Sequence, residues 1–273
     1  MTELQSPRLP KKLMFFDTNI LREIINHKEK WQSLSQYLKS ENLVVVISAV
    51  QFIELYKVKR LHNVVADFLL ETPSFMFKWW TEILRDEVEA FPHTLRVQHL
   101  TFLSFQEMFS LTNQGNKLRS VLEDPKIDLM WEAMELEKRQ FLPIMTLVPK
   151  TRPKDQGFVD QDFELHNFGR ILSDLRKVNQ AFIDEKKDKL KPSDLEIFSG
   201  SFLRASFLYY KHVLKGAKPE PSDLGDYYQT FYIPYCAIAV VEKDMAGILH
   251  LLKKERKLLP NTEIKSIRFI RQI

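Results

Sequence analysis

The chain has one cysteine in 273 residues, Cys236, which excludes an internal disulfide and any cysteine-based zinc site. A reducing, cytoplasmic setting is the expectation. Long apolar runs are missing as well: nothing approaches the ~18 residues of a membrane span. The stretch behind Lys11 and Lys12 is cut off by Asp17, too short for a signal peptide, so a soluble protein without a membrane partner is expected. No excess of one charge stands out, since 40 basic against 36 acidic residues leave +4. That balance tolerates a polyanionic partner without demanding one. The seven histidines show no metal-ligand spacing, and His166 and His212 read as helix-surface residues. There is no repeat at a fixed period. What is present is 44% hydrophobic content, ample for a sizeable core.

Strand-like runs cluster at the two ends of the chain: Leu13–Phe16, Leu43–Ile47, Ala237–Val241 and Ile264–Ile270. Helical periodicity flanks each of them, and this alternation predicts an α/β fold with a mostly parallel sheet. A run such as LVVVI must be buried on both faces, as parallel strands are. Ser48 to Gln51 (SAVQ) fits a capping box opening a helix after the second strand, and Ser193 to Glu196 (SDLE) fits another. From about residue 59 to 218 the patterns are helical, with no strand expected between 60 and 215. Trp79, Trp80 and the FLYY run are expected to pack in the core, because their spacing is helical. Residues 148–162 read as a loop, and 216–222 (GAKPEPS) as a linker. The organisation expected is one domain from residues 1–58 and 219–273, interrupted by an all-helical insertion over 59–218.

Within the α/β part, acids stand at the ends of strands and helices. Four apolar residues, LMFF, run straight into Asp17. Glu54 lies among apolar neighbours in the helix after the second strand. Asp223 and Asp226 are three apart, so on a helix they share a face. Asp244 follows the third strand. Beyond the carboxyl ends of parallel strands lies the usual ligand crevice, where Asp17 and Asp244 would both stand. Carboxylates gathered there repel one another unless a cation intervenes, and an oxygen-only set suits Mg²⁺ or Mn²⁺. Each acid also has a plainer reading. Asp17 or Asp244 can cap the helix that follows it, Asp223 can cap where Asp226 ligates, and Glu54 can be a surface residue near a helix start.

The stretches FFDTNIL, ISAVQFIEL and DLGDYYQTFYIPYCAIAVVEKDMAGIL together resemble the PIN domain, a metal-dependent nuclease fold. The resemblance covers roughly residues 12–58 and 219–273. It implies Asp17, Glu54, Asp226 and Asp244 as catalytic and metal-ligating acids, with Asp223 beside them. Thr18, Asn19 and Ser48 would support these ligands. The place after the PYC run, commonly an aspartate in a bacterial branch of that family, holds Ala237. The implied activity is endonucleolytic: RNA, or single-stranded DNA, hydrolysed by a metal-activated water with Mg²⁺ or Mn²⁺ as cofactor. The alternative is a catalytically weakened PIN-like scaffold whose helical lobe binds a protein or nucleic acid. Either reading leaves room for an inhibitory protein partner and for an oligomer.

Overall fold

A computed structural model of the chain describes residues 12–94, 101–104, 125–146, 156–186 and 189–272. The N-terminal half contributes β1 (Lys12–Phe16), α1 (Thr18–Asn26), α2 (Trp31–Ser40), β2 (Leu43–Ile47), α3 (Ala49–Tyr56), α4 (His62–Glu71), β3 (Ser74–Phe77) and α5 (Trp80–Ala90). Then come β4 (Thr101–Ser104), α6 (Pro125–Thr146), α7 (Gln156–Val178), α8 (Gln180–Lys186) and α9 (Ser199–Leu208). The chain closes with α10 (Asp223–Thr230), β5 (Ile238–Val240), α11 (Lys243–Glu255) and β6 (Glu263–Lys265). Among the described residues no helix is long and apolar enough to cross a membrane.

The strands form one sheet in the order β4-β3-β2-β1-β5-β6. Five run parallel and the edge strand β4 is antiparallel to β3. Side chains alternate across the sheet, as the period of two demands. Leu13, Phe15, Val44 and Val46 enter one buried cluster, with α5, α7, α9, α10 and α11. Met14, Phe16, Val45 and Ile47 enter the other, with α1, α2 and α4. The α/β expectation of a mostly parallel sheet flanked by helices is therefore what the chain forms. Trp80, Phe207, Tyr209 and Tyr210 are buried in the first cluster, as their helical spacing required.

Four expectations need correction. The stretch after residue 59 is not wholly helical, because β3 pairs with β2 from Val45↔Ser74 to Ile47↔Met76 and carries β4 at its edge. Ser74–Phe77 is too short to display alternation, and it runs through Lys78 into two tryptophans that read as helix. The sheet thus reaches past residue 58, and a helical insertion cannot begin there. The strand expected over Ile264–Ile270 stops at Lys265; Ile267–Arg271 form a 3-10 turn that buries Ile270 on the second face. Helix α7 starts at Gln156, inside the expected 148–162 loop, whose residues 148–155 lie outside the described ones. The SDLE box opens no α-helix: Asp194 accepts the Lys191 N–H and closes a 3-10 turn, Pro192–Ile197.

One glycine marks where the helical lobe meets the sheet. A Cβ on Gly200 would lie 2.7 Å from the Phe231 carbonyl oxygen and from its ring. Only the absence of a side chain lets α9 approach the end of α10 this closely.

Candidate active site

In the sheet order, β1 connects outward to β2 on one side while β5 and β6 lie on the other. The chain reverses direction across the sheet between β1 and β5, and a crevice opens beyond their carboxyl ends at such a switch point. Asp17 stands there: its N–H still bonds Val240 O at 2.9 Å, while its carboxylate accepts the Asn19 N–H at 3.0 Å. It is the N-cap of α1, so the plainer reading of this residue is true. It is also buried, 4% exposed, and burial is the largest cause lifting its pKa to about 7. Hydrogen bonds from the backbone of Asn19 and Glu242 oppose the rise, and the charges of Asp226 and Glu242 add to it. A surface cap would feel neither burial nor two further acids.

Ser48 supports the same point from below. Its capping box with Gln51 is complete: Ser48 Oγ accepts the Gln51 N–H at 3.2 Å, and Gln51 Oε1 accepts the Ser48 N–H at 2.8 Å. The amide of Gln51 then donates to Phe16 O. The start of α3 is thus tied to the last residue of β1, and Glu54 is carried to the side of Asp17 one turn and a half later. Thr18 Oγ1 donates to Glu54 Oε2 at 2.5 Å. Gln229, on α10, donates to Thr18 Oγ1 at 3.0 Å and to Glu54 Oε2 at 3.3 Å, and accepts the Thr18 N–H at 3.3 Å. Arg22 Nη2 donates to the Glu54 carbonyl at 2.9 Å.

Asp17, Glu54 and Asp226 line one cavity of about 310 Å³, with Thr18, Asn19 and Gln229. Arg22, Lys57 and Trp131 form its rim. Lys57 also lies over the Trp131 ring, and Lys57 pairs with Glu135 at 3.5 Å, so α6 leans on α3 beside the opening. A second cavity, of about 290 Å³, lies beside the amino ends of β5 and β6 and has Glu196 as its one acid.

The remaining sequence candidates fall elsewhere. Asp223 shares a face with Asp226, and the Lys211 Nζ at 2.6 Å with it, but its remaining contacts are the Glu220 N–H at 2.7 Å and His212 Nε2 at 3.5 Å, and it does not line the cavity. Asp244 is exposed in the first turn of α11, where a negative charge complements the helix dipole. The acid that reaches the site from this loop is Glu242, held at 2.9 Å by Asn19 Nδ2. His212 is buried rather than on a helix surface, its Nδ1–H donating to Ala217 O at 2.9 Å. Ala237 stands at the amino end of β5, its N–H on Leu13 O. That is about 10 Å of strand from the Val240 end, so the residue type at 237 does not bear on the acids at the crevice.

Each acid is drawn onto a protein donor: Asp17 to Asn19, Glu54 to Thr18 and Gln229, Asp226 to Lys211 at 2.9 Å, Glu242 to Asn19. Accordingly, among the described residues no three His, Cys, Asp or Glu side chains are gathered closely enough to hold a metal ion as they stand. The donor chemistry nevertheless fits a hard divalent cation, being oxygen only, and buried carboxylates beside one another are the situation such a cation relieves. Asp17, Glu54 and Asp226 are the residues that could hold it. Compared with family models, curated proteins and solved structures, the chain matches none of them.

Proposed function

We propose that this protein is a metal-dependent endonuclease acting on RNA in the cytoplasm. The observation that carries the reading is Asp17: a buried carboxylate at the switch point of a parallel sheet, lifted to about 7 first by burial and then by the charges of Asp226, which shares its cavity, and of Glu242. A bound Mg²⁺ or Mn²⁺ would supply an activated water and positive charge for a phosphate. The chain's own groups do the positioning. Thr18 and Gln229 hold Glu54 in one rotamer, and Asn19 fixes the Glu242 side of the crevice. Arg22, whose Nη2 holds the Glu54 carbonyl, brings a positive charge to the rim, where a phosphodiester would meet it.

A weakened scaffold is the second reading, and it is supported by Lys211, whose ammonium already pairs with Asp226. Labelled single-stranded RNA and DNA, incubated with the protein in Mn²⁺ and in chelator, separate the two. Cleavage of RNA in Mn²⁺ alone is expected, and Glu54→Gln should reduce it by at least ~10²-fold. Undiminished cleavage in chelator would remove the metal mechanism, and no cleavage in any metal leaves the scaffold.

Gly225 gives a sharper test of Glu54. A Cβ there would lie 2.8 Å from Glu54 Oε1, a movable carboxylate end rather than backbone. Gly225→Ala should therefore cost little stability, since alanine in a helix gains up to ~1 kcal/mol over glycine. It should still lower cleavage, because Glu54 must leave its bonds to Thr18 and Gln229. Unchanged rates in a normally melting Gly225→Ala protein would mean that the position of Glu54 is immaterial.

A further inference from the structure

The cavity beside the amino ends of β5 and β6 shares Glu196, Phe202 and Leu258 with an adjoining one of about 270 Å³, lined by α7, the Pro192–Ile197 turn and residues just past α11. Neither shares a residue with the crevice of Asp17. The wall between them is strained. Lys257 takes the left-handed conformation that commonly follows a helix, but Leu259 takes it too (φ 59°), buried and with no helix to end. Non-glycine residues held there recur at ligand clamps, because the surrounding structure must sustain the strain. In the adjoining cavity Asn167 of α7, 1% exposed, donates from Nδ2 to Ser206 Oγ at 3.1 Å. Its Oδ1 has no partner among the described residues, and a buried acceptor left unmet costs free energy that a bound donor returns.

A single water would meet Asn167, but the rest of the lining suits a larger guest. Phe168 and Phe202 line the cavity and are only half-buried, so apolar surface stands uncovered there. Glu164 and Glu196 line it as well, and neither forms an ion pair among the described residues. The cation in the lining, Arg256, is already committed: Nη1 to Asp160 at 2.6 Å, Nε to the Tyr210 hydroxyl at 3.0 Å, and its guanidinium carbon 4.3 Å from the Phe163 ring centroid. We propose that this cavity binds a small organic cation, with an apolar body against the phenylalanines, an N–H donor on Asn167 Oδ1 and a positive charge facing Glu164 and Glu196. An anion would meet two carboxylates, and a neutral apolar guest would leave the buried amide unanswered. The site stands apart from the acids beyond β1 and does not depend on the nuclease reading.

The test is calorimetric titration of the full chain with tryptamine, which carries a ring N–H and an ammonium on an aromatic body. Indole-3-acetate, with the same ring and the opposite charge, is the comparison. Tryptamine should bind saturably, with a dissociation constant of ~1 mM or below for a ligand of its size. Indole-3-acetate should bind at least ~10-fold more weakly. Glu196→Gln, a change at an exposed residue, should weaken tryptamine about threefold. Asn167→Leu, shown by its melt to be folded, should weaken it ~10-fold, and the glutamine variant keeps the test available if the leucine variant does not fold. No saturable binding of tryptamine to the wild type, or indole-3-acetate bound as tightly, would overturn the proposal. So would undiminished binding to Glu196→Gln or to folded Asn167→Leu, which would put the amine elsewhere, as on the acids of the crevice.

Discussion

Replacing Asp17 with asparagine should stabilise the metal-free protein by as much as about 4 kcal/mol above pH 7, roughly 10 °C in melting temperature, and abolish cleavage. An aspartate that ionises at 3.8 in the unfolded chain ionises at about 7 in the fold. Between those values the folded state holds a proton that the unfolded state has released, so stability falls as pH rises through the window and levels off above it. Asparagine has no proton to lose. The gap between variant and wild type therefore opens from nothing below pH 3.8 to its full size above about 7. Glu87, which burial pushes to about 8, adds a slope of its own, but it bonds Tyr235 away from the cavity and is common to both proteins. Asp226 is also raised, burial first among the causes, and part of the gap is its relief. Adding Mn²⁺ should narrow the gap: at a hundredfold excess over the dissociation constant it stabilises the wild type by ~2.7 kcal/mol, and the variant by much less. If Asp17 were only a cap, asparagine would cap equally well and the melts would run parallel at every pH. Asp17→Ala isolates the cap, at ~0.5–2 kcal/mol. Parallel melts of wild type and Asp17→Asn, indifferent to Mn²⁺, would end the case for a site.

The parts of this arrangement that could be read from the sequence are those encoded by neighbours in the chain. Four apolar residues before Asp17 and five in LVVVI fix strands that are buried on both faces, and Ser48 with Gln51 three residues on fixes the helix start that carries Glu54. What stayed hidden depends on geometry that no local pattern carries. Glu242 and Asp244 sit two residues apart, and only the cap position of Glu242 turns that side chain back to Asn19 while Asp244 faces solvent. Lys211 precedes Asp226 by 15 residues, and its delivery depends on a π-helical turn with no composition signal. Gln229 lies three residues after Asp226 and so on the same helix face, but a neutral amide carries no charge pattern that marks a site in the sequence. β3 failed for length, and the continuous helical pattern from Phe168 to Lys187 hid the break at Asn179, whose side chain accepts the Phe182 N–H and starts α8.

Arg204→Met should be the most damaging single change in the helical lobe, costing about 3–5 kcal/mol. Arg204 is completely buried on α9 and forms an ion pair with Asp174 of α7, itself 4% exposed. Its guanidinium carbon lies 4.3 Å from the centroid of the Trp80 ring, 4.5 Å from Tyr227 and 5.4 Å from Phe231. The contact therefore joins α5, α7 and α9 to α10, the helix that carries Asp226 and Gln229. Methionine fills much of the volume but leaves Asp174 as a buried charge without its partner, and that orphaned charge dominates the cost. Removing both charges removes the orphan, so Arg204→Met with Asp174→Leu should recover most of the loss. This follows from the pair's own weakness: among the described residues Arg204 Nε and Nη1 have no hydrogen-bond partner, so the pair is desolvated without being fully satisfied. Tyr227 directly follows Asp226 in α10, so loosening the clamp should also blunt the Mn²⁺ stabilisation expected of the wild type. Urea unfolding of the single and double variants, each with and without Mn²⁺, measures both effects. A single variant as stable as the double would mean that Asp174 finds another partner or water once Arg204 is gone, and that the lobe is not held to α10 through this pair.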